Sequence, residues 1–278
     1  MRWKPPRTNA KRHHLVPEWY IRRFAFDGKR VYVFDRAARK VRADVPHNIA
    51  VQTEFNSITM RGGEKDRAVE GRLAELDDAA AKCLPKLEAG EALEKEECWY
   101  VSFFVGYADA RSRGFRHAVL ESMPTSIDYS DPGRGFVDPQ FLNAFCAVSG
   151  VALDSWTLER MISESVKDAT AGPFEIGSMV HHGFELARHI YHSQWSITEA
   201  EGGAQFLASD RPLGILTSDG GFGDDPFEPS SIRIFPMSPR QALLIRGRRN
   251  EEAPEYDSIS ERIVRTVDGT IAGRRGIC

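Results

Sequence analysis

The 278-residue chain has the composition of an ordinary globular protein, with 41% hydrophobic and 28% charged residues. Its length fits one large domain or two small ones, and its hydrophobic content excludes a chain that is disordered throughout. The net charge of -3 hides an asymmetry, because residues 1–42 carry 13 Lys or Arg against 3 Asp or Glu, a net of +10, and the remainder carries a net of -13.

The cysteines and the N-terminus indicate the cellular compartment. The four cysteines form no Cys-x-x-Cys pair and are too sparse for a disulfide scaffold, which disfavours a zinc ribbon or a redox motif. No apolar segment follows the basic N-terminus, and the longest apolar stretch, residues 99–107, is too short to cross a bilayer. We therefore expect a cytoplasmic protein with free thiols and no membrane partner.

The N-terminal segment is predicted to form an arm, a short helix and a hairpin. Residues 1–12 are rich in Pro, Lys and Arg without an apolar period, which is typical of a flexible basic arm. Apolar residues recur at helical spacing over residues 13–26, where Pro17 suits the first turn of a short helix. Residues 29–35 alternate like a strand, and residues 41–45 can pair back with them.

The middle of the chain carries helical periodicity. Between Asp66 and Leu87 the apolar residues fall at spacings of three or four, and Gly90 follows as a stop signal. A second helix is predicted over residues 95–120, and a surface loop over residues 124–139. Further helices are predicted over residues 138–148, 154–169 and 173–193.

Strand patterns dominate the C-terminal third. Strands are predicted at residues 195–198, 204–207, 232–235 and 242–245, and a last helix at residues 258–272. Segregated helices and strands favour an α+β fold over a doubly wound sheet. The N-terminal hairpin is too small to be stable alone, so we expect it to join the sheet of the C-terminal third. Residues 13–278 are then predicted to form a single domain.

Three motifs, in order along the chain, resemble the domain of unknown function 4238 family. In that family a His precedes a Pro by three residues and an aliphatic-Arg-x-Phe run follows, as His14, Pro17 and residues 21–24 do here. Residues 206–213 resemble its strand ending in Ser-Asp-x-Pro, and residues 235–239 resemble its Phe-Pro-Leu-Ser-Pro turn. The resemblance implies an intracellular, mainly bacterial protein, and it implies no settled activity.

A stripe of histidines lies on the predicted helix over residues 173–193. At about 100° per residue, one face of this helix carries five ionisable side chains, those of His181, His182, Glu185, His189 and His192. Imidazoles and a carboxylate at such spacings can converge on one cation, so we predict His182, Glu185 and His189 as ligands of a divalent metal. The alternative interpretation is the ordinary solvated face of an amphipathic helix.

Two further residues are predicted to be catalytic. His14 stands at a helix entrance, where it can act as a general base or a ligand, or can pack as a polar core residue. Asp210 stands at the end of a predicted strand, where it can be a functional carboxylate or an ordinary turn former. We hypothesise that His14, the stripe and Asp210 meet in one pocket.

The basic arm suggests a nucleic-acid contact through Lys4, Arg7, Lys11 and Arg12, because Lys and Arg neutralise phosphates. The alternative is that the arm packs against the acidic remainder of its own chain. Two functions follow from these patterns. The first is a protein that binds nucleic acid or an acidic partner, and the second is a metal- or histidine-dependent phosphodiesterase or nuclease-like hydrolase.

Overall fold

The computed structural model describes residues 11–59, 63–122, 172–223 and 225–248. Within these ranges the N-terminal strands are β1 (Arg12–His14), β2 (Val31–Asp35), β3 (Lys40–Asp44), β4 (Val51–Thr53), β5 (Ile58–Thr59) and β6 (Lys65–Asp66). The helices are α1 (Glu18–Arg22), α2 (Ala68–Glu88), α3 (Lys95–Ala110), α4 (Arg113–Ser122) and α5 (Gly172–Tyr191). The C-terminal strands are β7 (Ser193–Glu199), β8 (Gly214–Leu216), β9 (Ile232–Pro236) and β10 (Gln241–Arg248). The α+β class, with a helical middle and a β-rich C-terminal region, is confirmed.

The C-terminal strands form one antiparallel sheet in the order β7-β10-β9-β8. Both faces of this sheet are buried, because Leu243 and Phe235 face the helices while Leu244 and Ile234 face a second apolar cluster. Burial on both faces explains why β9 and β10 are nearly continuous apolar runs.

One strand prediction in this region is wrong. Residues 204–207 are irregular, although Phe206 donates one backbone hydrogen bond to the carbonyl of Pro239. The Phe206 side chain is buried in the second apolar cluster, where it packs with side chains of the sheet. Its hydrophobicity therefore reflects this packing and not membership of a strand. Short apolar runs do not distinguish these two roles.

Helices α3 and α5 pack with their backbones in close contact. A Cβ atom added to Gly106 would lie 2.6 Å from the carbonyl oxygen of Gly183, and one added to Gly183 would lie 2.6 Å from the ring of Tyr107. The Tyr107 hydroxyl donates a hydrogen bond of 3.2 Å to the carbonyl of Val180. Glycine is therefore required at both positions for steric reasons, and this contact fixes the position of α5.

The helix predicted over residues 95–120 is divided into α3 and α4. Ser112 accepts a hydrogen bond from the amide of Phe115 through its hydroxyl, as a helix N-cap does. Arg111, just before it, is buried and makes two hydrogen bonds to Asp77 of α2, at 2.8 and 2.9 Å. The break between the helices thus places a buried cation against its carboxylate.

The predicted hairpin is confirmed, but its place in the fold is different. Strands β2 and β3 pair from Val31 with Asp44 to Asp35 with Lys40, as a separate two-stranded sheet. The expectation that they join the C-terminal sheet is wrong. Val31 and Val33 pack instead into the main apolar core, so one face of the hairpin is held by side chains rather than by strand pairing.

Several predicted elements lie outside the described residues. These are the arm up to residue 10, the loop over 124–139, the helices over 138–148 and 154–169, and the final helix over 258–272. In the part that the structure describes, Cys83 and Cys98 are free thiols. None of the helices described there is long and apolar enough to cross a membrane.

Candidate metal centre

Three short elements near the N-terminus bring His14, Glu18 and His47 together. Strand β1 pairs with β4, so that His14 stands opposite Val51 and the amide of Leu15 donates to the carbonyl of Ala50. Glu18 is the first residue of α1. His47 lies in a single 3-10 turn, Pro46–Asn48, that leads from β3 into β4 and contacts α1.

The three side chains form a compact group of metal-ligand donors. Each offers one atom, two imidazole nitrogens and one carboxylate oxygen, and these atoms all lie within 4.8 Å of one another. His47 Nδ1 is 3.0 Å from Glu18 Oε2, and the rings of His14 and His47 meet edge to face with 6.0 Å between their centroids. Among the described residues, this is the group of His, Cys, Asp and Glu whose spacing fits a metal ion.

Burial sets the protonation of His14. Its Nδ1 atom is buried and has no hydrogen-bond partner in the described structure. Burial also lowers the pKa of the His14 imidazole, an effect that the nearby Glu18 carboxylate only partly offsets. The neutral ring, which carries the free lone pair that a metal needs, is therefore the favoured form near neutral pH.

Two arginines surround the donor group. Arg12 donates to His47 Nε2 at 3.2 Å and to the backbone carbonyl of the same residue at 3.3 Å. Arg22 donates to Glu18, and hydrogen bonds from His47 and Arg22 together lower the pKa of the Glu18 carboxyl. The Glu18 carboxylate is thus ionised, and the guanidinium groups of Arg12 and Arg22 border the donor group.

The contact with Arg12 also fixes the tautomer of His47. Since Arg12 donates to Nε2, that nitrogen carries the lone pair and Nδ1 carries the proton that faces Glu18. A metal bound at Nδ1 would replace this proton, and Arg12 would then have to turn away from Nε2. Arg12 is exposed, so its guanidinium could then turn toward solvent.

The neighbouring His13 has a structural role. It is fully buried, and its Nδ1 accepts a hydrogen bond of 2.9 Å from the amide of Asn56. Asn56 in turn donates to Glu70 at 2.6 Å, and Glu70 lies 3.7 Å from His13. This chain of contacts connects β1 to α2. His14 lies on the other side of the strand, so it is His14 and not His13 that belongs to the donor group.

The histidine stripe on α5 is divided among different neighbours. His182 Nε2 lies 3.0 Å from Oδ2 of Asp109, a fully buried residue of α3. Glu185 accepts a hydrogen bond of 2.8 Å from Arg188 on its own helix. His189 Nε2 lies 2.9 Å from the guanidinium of the buried Arg233. The structure therefore does not bring the predicted ligands His182, Glu185 and His189 to one point.

Asp109 is the centre of a buried ionic network. Its Oδ1 accepts a hydrogen bond of 2.7 Å from Arg211, and its Oδ2 contacts His182, whose ring packs against Phe115. Burial raises the pKa of the Asp109 carboxyl, but the hydrogen bond from His182 and the charge of Arg211 outweigh that effect, and the pKa is lowered overall. The network joins α3, α5 and the segment before β8.

The predicted catalytic Asp210 is exposed, and it is the adjacent Arg211 that enters the Asp109 network. Ser209 closes the turn, because its hydroxyl accepts a hydrogen bond of 3.1 Å from the Arg211 amide. His14 is grouped with Glu18 and His47. Among the described residues, no contact joins His14 to His182 or to Asp210. Of the predicted nucleic-acid contacts, Lys11 and Arg12 are exposed, and Lys4 and Arg7 lie outside the described residues.

Four residues of these sites were missed by sequence reasoning. Glu18 lies four residues after His14, on the same motif, so its spacing was a usable signal. His47 follows a proline in a loop, and Asp109 is a single acid in an apolar helix, so neither has a pattern that points to His14 or His182. Arg211 occupies the variable position of the Ser-Asp-x-Pro motif.

The chain belongs to the family described as protein of unknown function DUF4238, whose sequence model matches residues 12–273. The opening motif with His14 and the later motifs all lie inside this match. A search of curated proteins found no match. A search of solved structures found none either.

Proposed function

We propose that this protein is a divalent-metal-dependent phosphodiester hydrolase with His14, Glu18 and His47 as its metal ligands. One observation carries the proposal: three donor atoms from β1, α1 and the 3-10 turn lie within 4.8 Å of one another. The buried, unpartnered Nδ1 atom of His14 supports it, because a buried polar atom without a partner is costly unless a ligand satisfies it.

The ligand types favour a transition metal. Two imidazoles and one carboxylate suit Zn²⁺, Mn²⁺ or Fe²⁺ better than Ca²⁺ or Mg²⁺, which prefer oxygen ligands. Three protein ligands leave coordination positions for water and for the substrate. His47 is 59% exposed, so a phosphate group can approach the centre from solvent.

The chemistry expected of such a centre is hydrolysis. A metal held by His14, Glu18 and His47 would supply Lewis-acid chemistry, because it would lower the pKa of a water molecule that could then add to phosphorus. The leaving alkoxide would depart as the new bond forms and would take up the proton that the water loses. Arg12 and Arg22, which already contact His47 and Glu18, are placed to offset the negative charge of the phosphate.

A second candidate function is binding without chemistry, to nucleic acid or to an acidic partner. The observation that favours it is the excess of basic residues near the N-terminus, a net of +10 over residues 1–42, with Lys11 and Arg12 both exposed. These residues can neutralise phosphates whether or not a metal is present.

Hydrolysis of bis(p-nitrophenyl) phosphate distinguishes the two candidates. We expect the purified protein to release p-nitrophenol with Zn²⁺ or Mn²⁺ and not with EDTA. Glu18→Gln and His47→Ala should lose this activity while they keep the folded circular-dichroism spectrum. His192→Ala, at the exposed position that follows the end of α5, is the matched control and should keep it. Turnover that is equal in all four proteins would contradict the assignment of the ligands.

A further inference from the structure

The β2–β3 hairpin exposes a pair of stacked aromatic rings. Phe26 is 45% exposed and Tyr32 is 69% exposed, and their rings lie nearly parallel with 4.2 Å between centroids. The guanidinium of Arg30 lies 5.4 Å from the centre of the Phe26 ring. Large aromatic rings are usually buried, so a stacked pair in solvent marks a binding surface.

A tight turn holds the two rings in place. The Asp27 carboxylate accepts hydrogen bonds from the amides of Lys29 and Arg30 and from the Arg30 side chain, and these lower the pKa of Asp27 to about 2. The amide of Phe26 donates to the carbonyl of Arg30. The aromatic pair is therefore ordered in advance of any ligand, which reduces the entropy lost on binding.

The two faces of the hairpin differ in their packing. Val31 and Val33 point into the core, and the alternate residues of β2 and β3 point outward. On the outer face Tyr32 stands opposite Ala43, and the exposed Val41 stands opposite Phe34. We call this surface the hairpin platform and define it by Phe26, Tyr32, Phe34, Val41 and Ala43.

Positive charge surrounds the hairpin platform. Two of the three carboxylates nearby are paired with arginines, Asp27 with Arg30 and Asp44 with Arg42, and the third, Asp35, accepts a hydrogen bond from the amide of Ala38. The remaining charged side chains at the two ends of the hairpin include four exposed cations, Lys29, Arg36, Arg39 and Lys40. Aromatic rings that are bordered by Lys and Arg match the bases and phosphates of a single strand of nucleic acid.

We propose that the hairpin platform binds single-stranded nucleic acid, with a base stacked on Tyr32 and phosphates held by the cations around it. This inference deepens the proposed function, because it names the class of phosphodiester that reaches the metal centre. Binding by the platform does not itself require the metal, so the two can be tested separately.

The chain places the platform close to the metal ligands. Ala43 lies directly across from Tyr32, at about 5 Å between Cα atoms. His47 follows Ala43 by four residues, so the Cα atoms of Ala43 and His47 are at most about 14 Å apart. A strand stacked on Tyr32 therefore has a phosphate within a few nucleotides of His14, Glu18 and His47.

Fluorescence anisotropy with a labelled oligothymidylate of about twelve nucleotides tests the proposal, since such single-stranded sites span roughly 4 to 16 nucleotides. The titration is done in EDTA at several salt concentrations, so that no metal contributes. We expect affinity to fall as salt rises, and Tyr32→Ala to weaken binding by about 5- to 150-fold, the range for one lost base-stacking contact. Tyr32→Phe, which keeps the ring, should bind as the wild type does.

The charges are tested by a second variant. The double variant Arg36→Gln/Arg39→Gln should reduce the slope of log affinity against log salt concentration by the amount that corresponds to about two phosphate contacts. The fold should be unchanged, because both side chains are exposed. Affinity that is unchanged in Tyr32→Ala would overturn the proposal. The proposal would also be overturned if the wild-type protein bound an acidic protein but no oligothymidylate. It would be overturned too if Tyr32→Ala changed only the self-association of the protein and not its affinity for oligothymidylate.

Failure of this proposal is distinguishable from failure of the proposed function. If the platform binds no oligonucleotide, hydrolysis of the small substrate bis(p-nitrophenyl) phosphate remains a valid test of the metal centre. Conversely, Glu18→Gln should keep its affinity for oligothymidylate in EDTA even though its hydrolytic activity is lost.

Discussion

Replacing Asp109 by alanine removes the acceptor that joins α3, α5 and the segment before β8. Asp109 is fully buried and accepts from Arg211 at 2.7 Å, while its other oxygen lies 3.0 Å from His182. A hydrogen bond with a charged group contributes about 1.5–3 kcal/mol. Because Arg211 is 35% exposed and His182 is 17% exposed, water can replace part of what is lost. We therefore expect a cost of about 3 kcal/mol in the free energy of unfolding.

Thermal and urea unfolding measure this cost. With about 2 cal/mol/K of unfolding entropy per residue, 3 kcal/mol corresponds to about 5 °C in Tm for a chain of 278 residues. Asp210→Asn is the matched control, because Asp210 is the exposed acid next to Arg211, and its effect should stay within about 0.5 kcal/mol. Equal effects of the two substitutions would refute the structural role of the network.

The cost should also depend on pH. The folded state holds the pKa of Asp109 below its usual value, so the carboxylate stabilises the fold above the unfolded pKa of about 3.9. This stabilisation is lost as pH falls through the lowered pKa of the folded protein. The difference in unfolding free energy between wild type and Asp109→Ala should therefore be largest at neutral pH and should decrease below pH about 4.

Other substitutions test the packing of the helices. Gly106→Ala should cost about 1–3 kcal/mol or more in urea unfolding, because its Cβ atom would lie 2.6 Å from the carbonyl oxygen of Gly183. Gly114→Ala, where nothing lies within 4 Å, should be neutral or stabilising by up to about 1 kcal/mol, the difference in helix propensity between Gly and Ala. Asp77→Ala should cost about 3–5 kcal/mol, since it leaves the Arg111 guanidinium buried without its carboxylate. Adding Arg111→Met should recover part of that loss, and a double variant no more stable than Asp77→Ala would contradict this explanation.

Local patterns predicted most of the described elements. The alternation over residues 29–35 and 41–45 corresponds to β2 and β3, and the spacing of three and four from Asp66 onward corresponds to α2. These patterns depend on which side of each element faces the core, and that information is local in the sequence. The helix break at Ser112 was not predicted, although Ser112 is a local N-cap signal, and the buried contact of Arg111 with Asp77 is between residues that are distant along the chain.

The candidate sites were only partly predictable. His14 was singled out by its motif, yet its neighbour His47 is reached through the pairing of β1 with β4, which no periodicity reveals. On α5 the stripe correctly marked a polar face, but its ring nitrogens are directed to an acid on α3 and to an arginine on β9. Contacts between elements that are distant in sequence decide which of several equivalent histidines form a site.

Zinc binding measured by isothermal titration calorimetry tests the metal centre most directly. We predict that the wild-type protein binds one Zn²⁺ at neutral pH, and that Glu18→Gln and His47→Ala each weaken binding by more than about tenfold, the least effect usually seen even for residues that only support a metal ligand. His192→Ala should bind as the wild type does. A wild-type protein without affinity for zinc, or a zinc site that survives in His47→Ala and is lost in His189→Gln, would contradict the account.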